Sequence, residues 1–508
     1  MNVAFDPWIP LVTTSGKREL ASLAAVFSEG ERFADLAVRP HERVALMRLF
    51  TCVAHAALDG PKNYDDWCEV PEKLPEAALR YLTAWKDFFE LFHRERPWLQ
   101  VVGLKPAKEN NPKSFTPIAK LDFALASGAA STLFDHPGCD NDSRSFDNSQ
   151  LILGLLAIQN FSTCGLLSRP IWKGKACPNS AKDAPCVTSS MFHVFLVGKN
   201  LLESISINIC DFGELSMHFN STSSNDKWLG RPAWECMPTD ATDDQATKTY
   251  LGRLTPVSRA IRFFPQSSYM LYGEALRYSS FPDFYREVNS SVIIKRIKKK
   301  EERYLVGARL GVRPWRQLDA ILQYNLQGKT STHAVNLGHL GNEPVDVWIG
   351  ALLRNPGKQD VIDSIESRFH LSPTLRSMDG CAIYSHEIQN AQNIANKLSK
   401  AIYVYRIALD PRNETGIGEG ATTHYWTSTE QNLPLLMAHI EAIDTDDAIP
   451  TRKNWRKMLY ASAHDAYKLA CGQETPRQRR AFAKGWQELA FKKNQSQTNN
   501  DKNMEGNP

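Results

Sequence analysis

Residues 385–405 read SHEIQNAQNIANKLSKAIYVY, and the apolar positions Ala391, Ile394, Ala395, Leu398, Ile402 and Tyr405 recur at i, i+3 and i+4. That is the stripe of an amphipathic helix with one face to bury. Downstream, a loop with Pro411, Gly416, Gly418 and Gly420 is expected to end it. A second helix is expected over 429–443, with Pro434 near its start. A third follows Pro450, carries Trp455, Met458, Leu459, Ala466 and Leu469 on one face, and stops at Gly472. Thr475-Pro476 is a capping residue followed by proline at the first helical position, and opens a fourth helix with Phe482, Trp486 and Leu489 inside. Four amphipathic helices on short loops predict a helical bundle over 379–493, and the polar stretch 494–508 a disordered tail.

Upstream of the bundle the pattern is mixed. Residues 42–58 place Leu46, Leu49, Phe50, Val53 and Ala57 at helical spacing, and 75–92 do the same with Leu79, Leu82, Trp85, Phe89 and Phe92. The stretch 127–148 is rich in Gly, Ser and Asp and reads as a long surface loop. Short apolar runs at 192–198 (FHVFLVG) and 204–210 (SISINIC) read as strands. Two more strand-like runs in 292–310 surround a cluster of Lys295, Arg296, Lys298, Lys299 and Lys300. The expectation is an α+β chain, with a large mixed domain over 1–378 ahead of the four-helix bundle.

At 508 residues and about 150 residues per domain, two to four domains are expected. Lys plus Arg is 60 and Asp plus Glu 56, giving a net charge of +4, which excludes a protein whose whole surface is cationic but not a local basic patch. No two of the 10 cysteines form a C-x-x-C pair, and Cys139, Cys164, Cys177 and Cys186 lack zinc spacing, so no metal and no cofactor is expected. The longest apolar run, 151–158, is too short to span a bilayer. With no basic segment followed by an apolar stretch at the start, the expected location is cytoplasmic, without a membrane partner.

Catalytic templates fail. Gly328-Lys329-Thr330 resembles the end of a phosphate-cradling loop, but the required upstream position holds Gln323. Gly416 to Gly420 lack the strand-turn-helix setting of a dinucleotide site. His464-Asp465 admits a metal-dependent nuclease or an ordinary pair lining a bundle. The chain is therefore read as not an enzyme, with a nuclease or a purely protein-binding scaffold as alternatives.

One ordered set of motifs is more specific. Phe5-Asp6-Pro7-Trp8-Ile9-Pro10 resembles the opening of the CasA family, the large subunit of type I-E CRISPR Cascade. Residues 91–100 (LFHRERPWLQ), with Trp98 where the family has Phe, are similar to its P-F-x-Q segment. Thr116-Pro117-Ile118-Ala119-Lys120-Leu121 followed by Ser127-Gly128-Ala129 and Phe134, and then Trp315-Arg316-Gln317-Leu318, continue the likeness in order. The resemblance is weakest over 139–304.

The resemblance implies a non-catalytic subunit that recognises a short flanking motif (the PAM) from the minor groove and helps start strand separation. Pairing with the guide RNA would read the rest of the target. Its implied partners are the backbone, small and handle-binding sister subunits, the guide RNA, double-stranded target DNA, and a helicase-nuclease or complex-associated nuclease. Residue by residue, the pattern Gly350 to Gln359 approximates the family's wedge hairpin, which would make Gln359 the wedge, and Lys358 and Asn355 groove or phosphate contacts. An ordinary solvated hairpin tip is the alternative. Phe134 and His136 occupy the place of a loop that carries a stacking Phe. Gly165 and Lys173 stand where the family has a glycine-rich loop, from which this sequence departs, and Arg277 is the candidate for a lysine finger. Lys295, Lys298 and Lys299, and in the bundle Arg452, Lys453 and Arg456, are candidate backbone contacts or solvated charges.

Overall fold

The computed structural model describes residues 1–109, 111–123, 145–218, 228–280, 287–297, 300–322, 331–332, 337–355, 361–410 and 417–489. The chain divides into two compact units, Met1–Leu371 and Ser372–Pro508, so the division lies ahead of the boundary expected after residue 378. Phe134, His136, Lys298, Lys299, Lys358, Gln359 and the tail 494–508 lie outside the described residues.

The first unit opens with three strands, β1 (Ile9–Thr13), β2 (Arg18–Ala21) and β3 (Phe33–Leu36), in antiparallel order β2-β1-β3. Trp8 is buried just before β1 and donates its indole N–H to Val3 O at 2.7 Å. Helix α1 (Pro40–Leu58) starts with proline at its first turn and is buried along most of its length, the state of a central core helix. Helix α2 (Val70–Ala84) begins earlier than the expected residue 75, with Pro75 inside it, and a separate short turn, Lys86–Phe89, carries Phe89 into the core. Helix α3 (Asn148–Phe161) is capped by Asp147, whose Oδ1 accepts from Gln150 N at 2.8 Å while Gln150 Oε1 accepts from Asp147 N at 3.0 Å. Its residues from Leu151 to Phe161 are all buried, so the longest apolar run of the sequence is a core helix.

Strand β4 (His193–Val197) occupies the first of the two expected runs, but the second is helix α4 (Leu201–Ile207). The reason is local. Asn200 accepts from Glu203 N at 2.9 Å, and this N-cap overrides the β-branched alternation of SISI. Strands β5 (Arg259–Phe263) and β6 (Tyr269–Glu274) pair antiparallel, as do β7 (Val292–Ile297) and β8 (Lys300–Leu305). Last come β9 (Val345–Arg354) and β10 (Val361–Leu371); with β4 they form a sheet of order β4-β9-β10. Strand β9 lies in the middle and is buried from Val347 to Leu353. Strand β10 forms the edge and is mostly solvent-facing. One core runs through Trp8, Phe27, Phe50, Trp98, Phe161 and Trp348.

The second unit is helical: α5 (Met378–Leu409), α6 (Ile417–Gln431), α7 (Leu433–Glu441), α8 (Ala448–Ala470) and α9 (Pro476–Leu489). All six apolar positions read from α5 are buried. The second expected helix differs. The chain is already helical at Gly418 and Gly420, in the first turn of α6, and the break falls at Asn432, where Pro434 enters the first turn of α7. Leu469, expected on the buried face of α8, is 71% exposed. Three tyrosines clamp the helices together: Tyr405 donates to Gly472 O (2.9 Å), Tyr425 to Ala391 O (2.9 Å) and Tyr467 to Phe482 O (3.0 Å). At Gly485 an added Cβ would sit 2.5 Å from Ala401 O and 2.1 Å from Tyr467 Oη, so only glycine permits that close crossing.

Candidate nucleic-acid interface

The hairpin β9–β10 is built by pattern and register. Val345, Val347, Ile349 and Ala351 face the same side of a central strand, and the ladder runs from Val345↔Leu371 to Leu353↔Asp363, with an irregularity before Arg354↔Val361. Of the expected wedge pattern, Gly350 to Arg354 form the end of β9, and residues 356–359 lie outside the described residues. Of that segment Asn355 is described and half-buried, next to Arg354.

Arg354 anchors the end of the hairpin in two directions. Its backbone N donates to Ser190 Oγ at 3.1 Å, and its guanidinium pairs with Asp183. Asp183 in turn accepts from Cys164 N at 2.7 Å, which ties the hairpin to the segment that carries Gly165. There Gly165–Leu166 pairs with Ser180–Ala181. Arg277 reaches the same place: it donates through Nη2 to Ser180 O at 3.1 Å and through Nε to Glu274 Oε1 at 3.2 Å, with half of its side chain exposed. Glu274 is fully buried and also pairs with Arg259 at 3.0 Å. Burial pushes its carboxyl upward, against the pull of Arg259 and Arg277.

Lys173 stands on a separate small hairpin. Ile171–Trp172 pairs with Lys175–Ala176, and Lys173 (φ 49°) and Gly174 (φ 81°) make the two-residue turn with both φ values positive, as a type I′ turn demands. Lys173 is exposed at its tip. An added Cβ at Gly273 would meet Pro170 at 2.7 Å, so this small hairpin lies tightly against β6.

The structure thus joins Asn355, Gly165 and Arg277 around Arg354, Asp183 and Ser190, to which the sequence reading assigns no role. Lys295 lies elsewhere, on β7 opposite Glu302. In the second unit Arg456 donates to Glu387 Oε1 at 2.7 Å, Arg452 is half-buried, and Lys453 is exposed. His464 stacks on Trp486 with ring centroids 4.6 Å apart, and Asp465 pairs with Lys468 at 3.6 Å. Among the described residues, the His and carboxylate side chains close enough to share an ion are Asp211, Glu214 and His339, which do not include that pair. His339 Nε2 lies 2.9 Å from Asp211 while its other nitrogen, Nδ1, faces Glu214 at 3.9 Å, so the ring bridges two carboxylates with opposite edges. No helix among the described residues is long and apolar enough to cross a membrane.

The fold and these motifs meet in one comparison. Residues 2–466 match the family described as CRISPR-associated protein Cse1. The chain belongs to the Cse1 family. A CasA/Cse1 protein of Thermus thermophilus is 26% identical over 529 residues, spanning 96% of each chain. Among solved structures, Thermus thermophilus CasA (Cse1) superposes with a TM-score of 0.73 at 22% identity, covering 96% of this chain and 99% of its own. Thermobifida fusca Cse1 gives 0.74 at 17% identity, covering 96% and 97%. A chain of a CRISPR RNA-guided surveillance complex gives 0.73 at 18% identity, covering 96% and 99%. The Cse1 likeness extends through both units, so the mixed first unit and the helical second unit are features of the family fold.

Proposed function

We propose that this Cse1-family chain is the non-catalytic large subunit of a type I-E-like Cascade complex. In this reading it recognises the PAM of double-stranded DNA from the minor groove and helps open the duplex for R-loop formation. The observation that carries it is the anchoring of hairpin β9–β10 through Arg354 to both Asp183 and Ser190. A tip that must part base pairs needs a base that does not yield, because unstacking costs about a few kcal/mol per step. Gln359 is the wedge, Lys358 and Asn355 contact the groove or a phosphate, and Gly165, Lys173 and Arg277 contribute from the adjoining segment. Phe134 and His136 serve on a stacking loop.

The minor groove distinguishes mainly A·T from G·C, so a subunit reading it accepts a family of motifs rather than one. Lys295, Lys298, Lys299, Arg452, Lys453 and Arg456 are proposed as backbone contacts, with Arg456 the weakest because Glu387 already holds it. The proposed partners are the sister subunits, guide RNA, target DNA and a nuclease recruited to or associated with the complex, in the cytoplasm. The test is Gln359→Ala in the assembled complex. Assembly with guide RNA is expected to be intact and R-loop formation on duplex targets reduced at least about tenfold, while targets opened beforehand are bound normally. A variant that opens duplex targets at the wild-type rate removes Gln359 from this role, and cleavage of DNA by the isolated chain with divalent metal removes the non-catalytic reading.

A further inference from the structure

Three segments distant in the chain meet at His339. The turn Leu337–Leu340 carries His339, Asp211 precedes and Glu214 lies within the helix Phe212–His218, and Tyr64 and Trp67 come from the helix Tyr64–Cys68. The last two segments are bound to each other: Phe212 N donates to Pro61 O at 3.0 Å, and Trp67 donates its indole N–H to Ile209 O at 2.8 Å. Both rings then meet the imidazole edge to face, Tyr64 with centroids 5.2 Å apart at 76° and Trp67 at 4.9 Å and 86°. Two such contacts fix the plane of the imidazole.

The polar contacts of that ring are unequal. Asp211 is buried and uses both carboxylate oxygens: Oδ1 accepts from Glu214 N at 2.8 Å, and Oδ2 accepts from His339 Nε2 at 2.9 Å. A carboxylate only accepts, so Nε2 carries the ring proton. In the neutral ring the other nitrogen, Nδ1, is then an acceptor, and it faces Glu214 Oε1 at 3.9 Å. That is beyond hydrogen-bond reach, and two acceptors are turned toward each other across the gap. A cation between them resolves the conflict.

The spacing suits a metal ion. Donors each about 2.1 Å from an ion stand at most about 4.2 Å apart, so a gap of 3.9 Å admits one, and closing by about half an ångström gives the tetrahedral angle. One donor atom each from Asp211, Glu214 and His339 lies within 4.8 Å of the others. A metal-bound histidine almost always donates its second ring N–H to a carboxylate or carbonyl, which fixes tautomer and orientation, and Asp211 already receives that proton. His339 and Glu214 keep 14% and 18% of their side chains open to solvent, so an ion has a way in.

We infer that His339 Nδ1 and Glu214 Oε1 ligate a divalent first-row metal ion, with water completing its shell and Asp211 as the positioning residue that orients the imidazole. The ion clips the turn Leu337–Leu340 to the helix Phe212–His218, joining positions 128 residues apart once Asp211 is counted. Cysteine spacing has no bearing on it, because the donors are imidazole and carboxylate, the set that suits ions such as Mn²⁺ and Zn²⁺. The site stands apart from the duplex-opening reading and survives if that reading fails.

The test uses the purified full-length chain, stripped of metal by a chelator and titrated with MnCl2, with binding read from loss of the free-ion electron-resonance signal. Mn²⁺ is the probe because its preference for carboxylate oxygen keeps it off the chain's 10 cysteines. Wild type is expected to bind one ion that Glu214→Gln and His339→Gln each lose. Asp211→Asn is expected to keep the site with affinity lowered about 10- to 100-fold, as removal of an orienting partner does. Mn²⁺ should also raise the melting temperature of wild type and leave that of His339→Gln unchanged. Independently of any variant, crystals of the wild-type chain grown with MnCl2 are expected to show an anomalous-scattering peak between His339 Nδ1 and Glu214 Oε1. Equal binding by wild type and either ligand variant overturns the site. So does a wild type that binds no ion, since a proton alone would then reconcile the two acceptors, or an anomalous peak found only elsewhere.

Discussion

Two buried carboxylates, one in each unit, are handled differently. Glu287 in the first unit is gripped by two guanidiniums, Arg48 at 3.0 Å and Arg253 through its Nε at 3.0 Å, and all three side chains are at most 5% exposed. Glu387 in the bundle is also fully buried but has Arg456, whose side chain remains a third exposed. In the first unit two arginines lock one carboxylate in the interior. In the bundle a single arginine pairs with the buried carboxylate while part of its guanidinium stays open to solvent.

The contrast can be broken at three points. The largest effect is expected from Glu287→Gln, which leaves two buried guanidiniums without a counter-charge and should cost about 3–5 kcal/mol of stability in denaturant unfolding. The same pair carries a pH signature. Burial would raise the Glu287 carboxyl, but Arg253 and Arg48 outweigh it and hold it at about 2 against an ordinary value of 4.5. A depressed carboxylate contributes stability that is fully present above 4.5 and is lost as pH falls toward about 2. Melting temperatures measured across that window should fall steeply for the wild type and more gently for Glu287→Gln.

A smaller effect is expected from Arg456→Met, about 1–2 kcal/mol, because the partly exposed guanidinium is screened and water can reach the carboxylate it leaves behind. Burial raises the Glu387 carboxyl while the Arg456 hydrogen bond and charge bring it below the usual range. The variant should therefore lose part of the bundle's stability at neutral pH, with the difference from wild type shrinking as Glu387 is protonated in acid. The smallest effect is expected from Lys453→Gln. It should leave unfolding unchanged and, if Lys453 meets a phosphate, reduce the salt slope of DNA binding by about one. A shift in unfolding without a change in slope would make Lys453 a charge that holds the fold rather than a phosphate contact.

Where the sequence reading succeeded and failed follows from the range of the forces involved. The stripe Ala391 to Tyr405 is buried as its spacing foretells, because helical periodicity is written within a few turns. The run 204–210 has strand-like alternation but is helical as far as Ile207, since one capping hydrogen bond at Asn200 outweighs weak β-propensity. Gly418 and Gly420 look like helix terminators and lie in a helical first turn instead, where a glycine's cost is small enough for the packing of α6 to overrule. The hairpin that carries the expected wedge was reached only through the family resemblance of Gly350 to Gln359, and the residues that anchor it were not legible at all.

The sequence by itself determined the mixed class followed by a helical end, the buried stripe of α5 and the family, because periodicity and ordered motifs are local or additive signals. Only the tertiary structure decided that Arg354 pairs with Asp183 across 171 residues of chain, that Ser190 holds the backbone of Arg354, and that Arg456 pairs with Glu387. Such pairs leave no local trace. A guanidinium finds its carboxylate by where the backbone brings it, and that is set by the packing of the whole core rather than by the residues beside it.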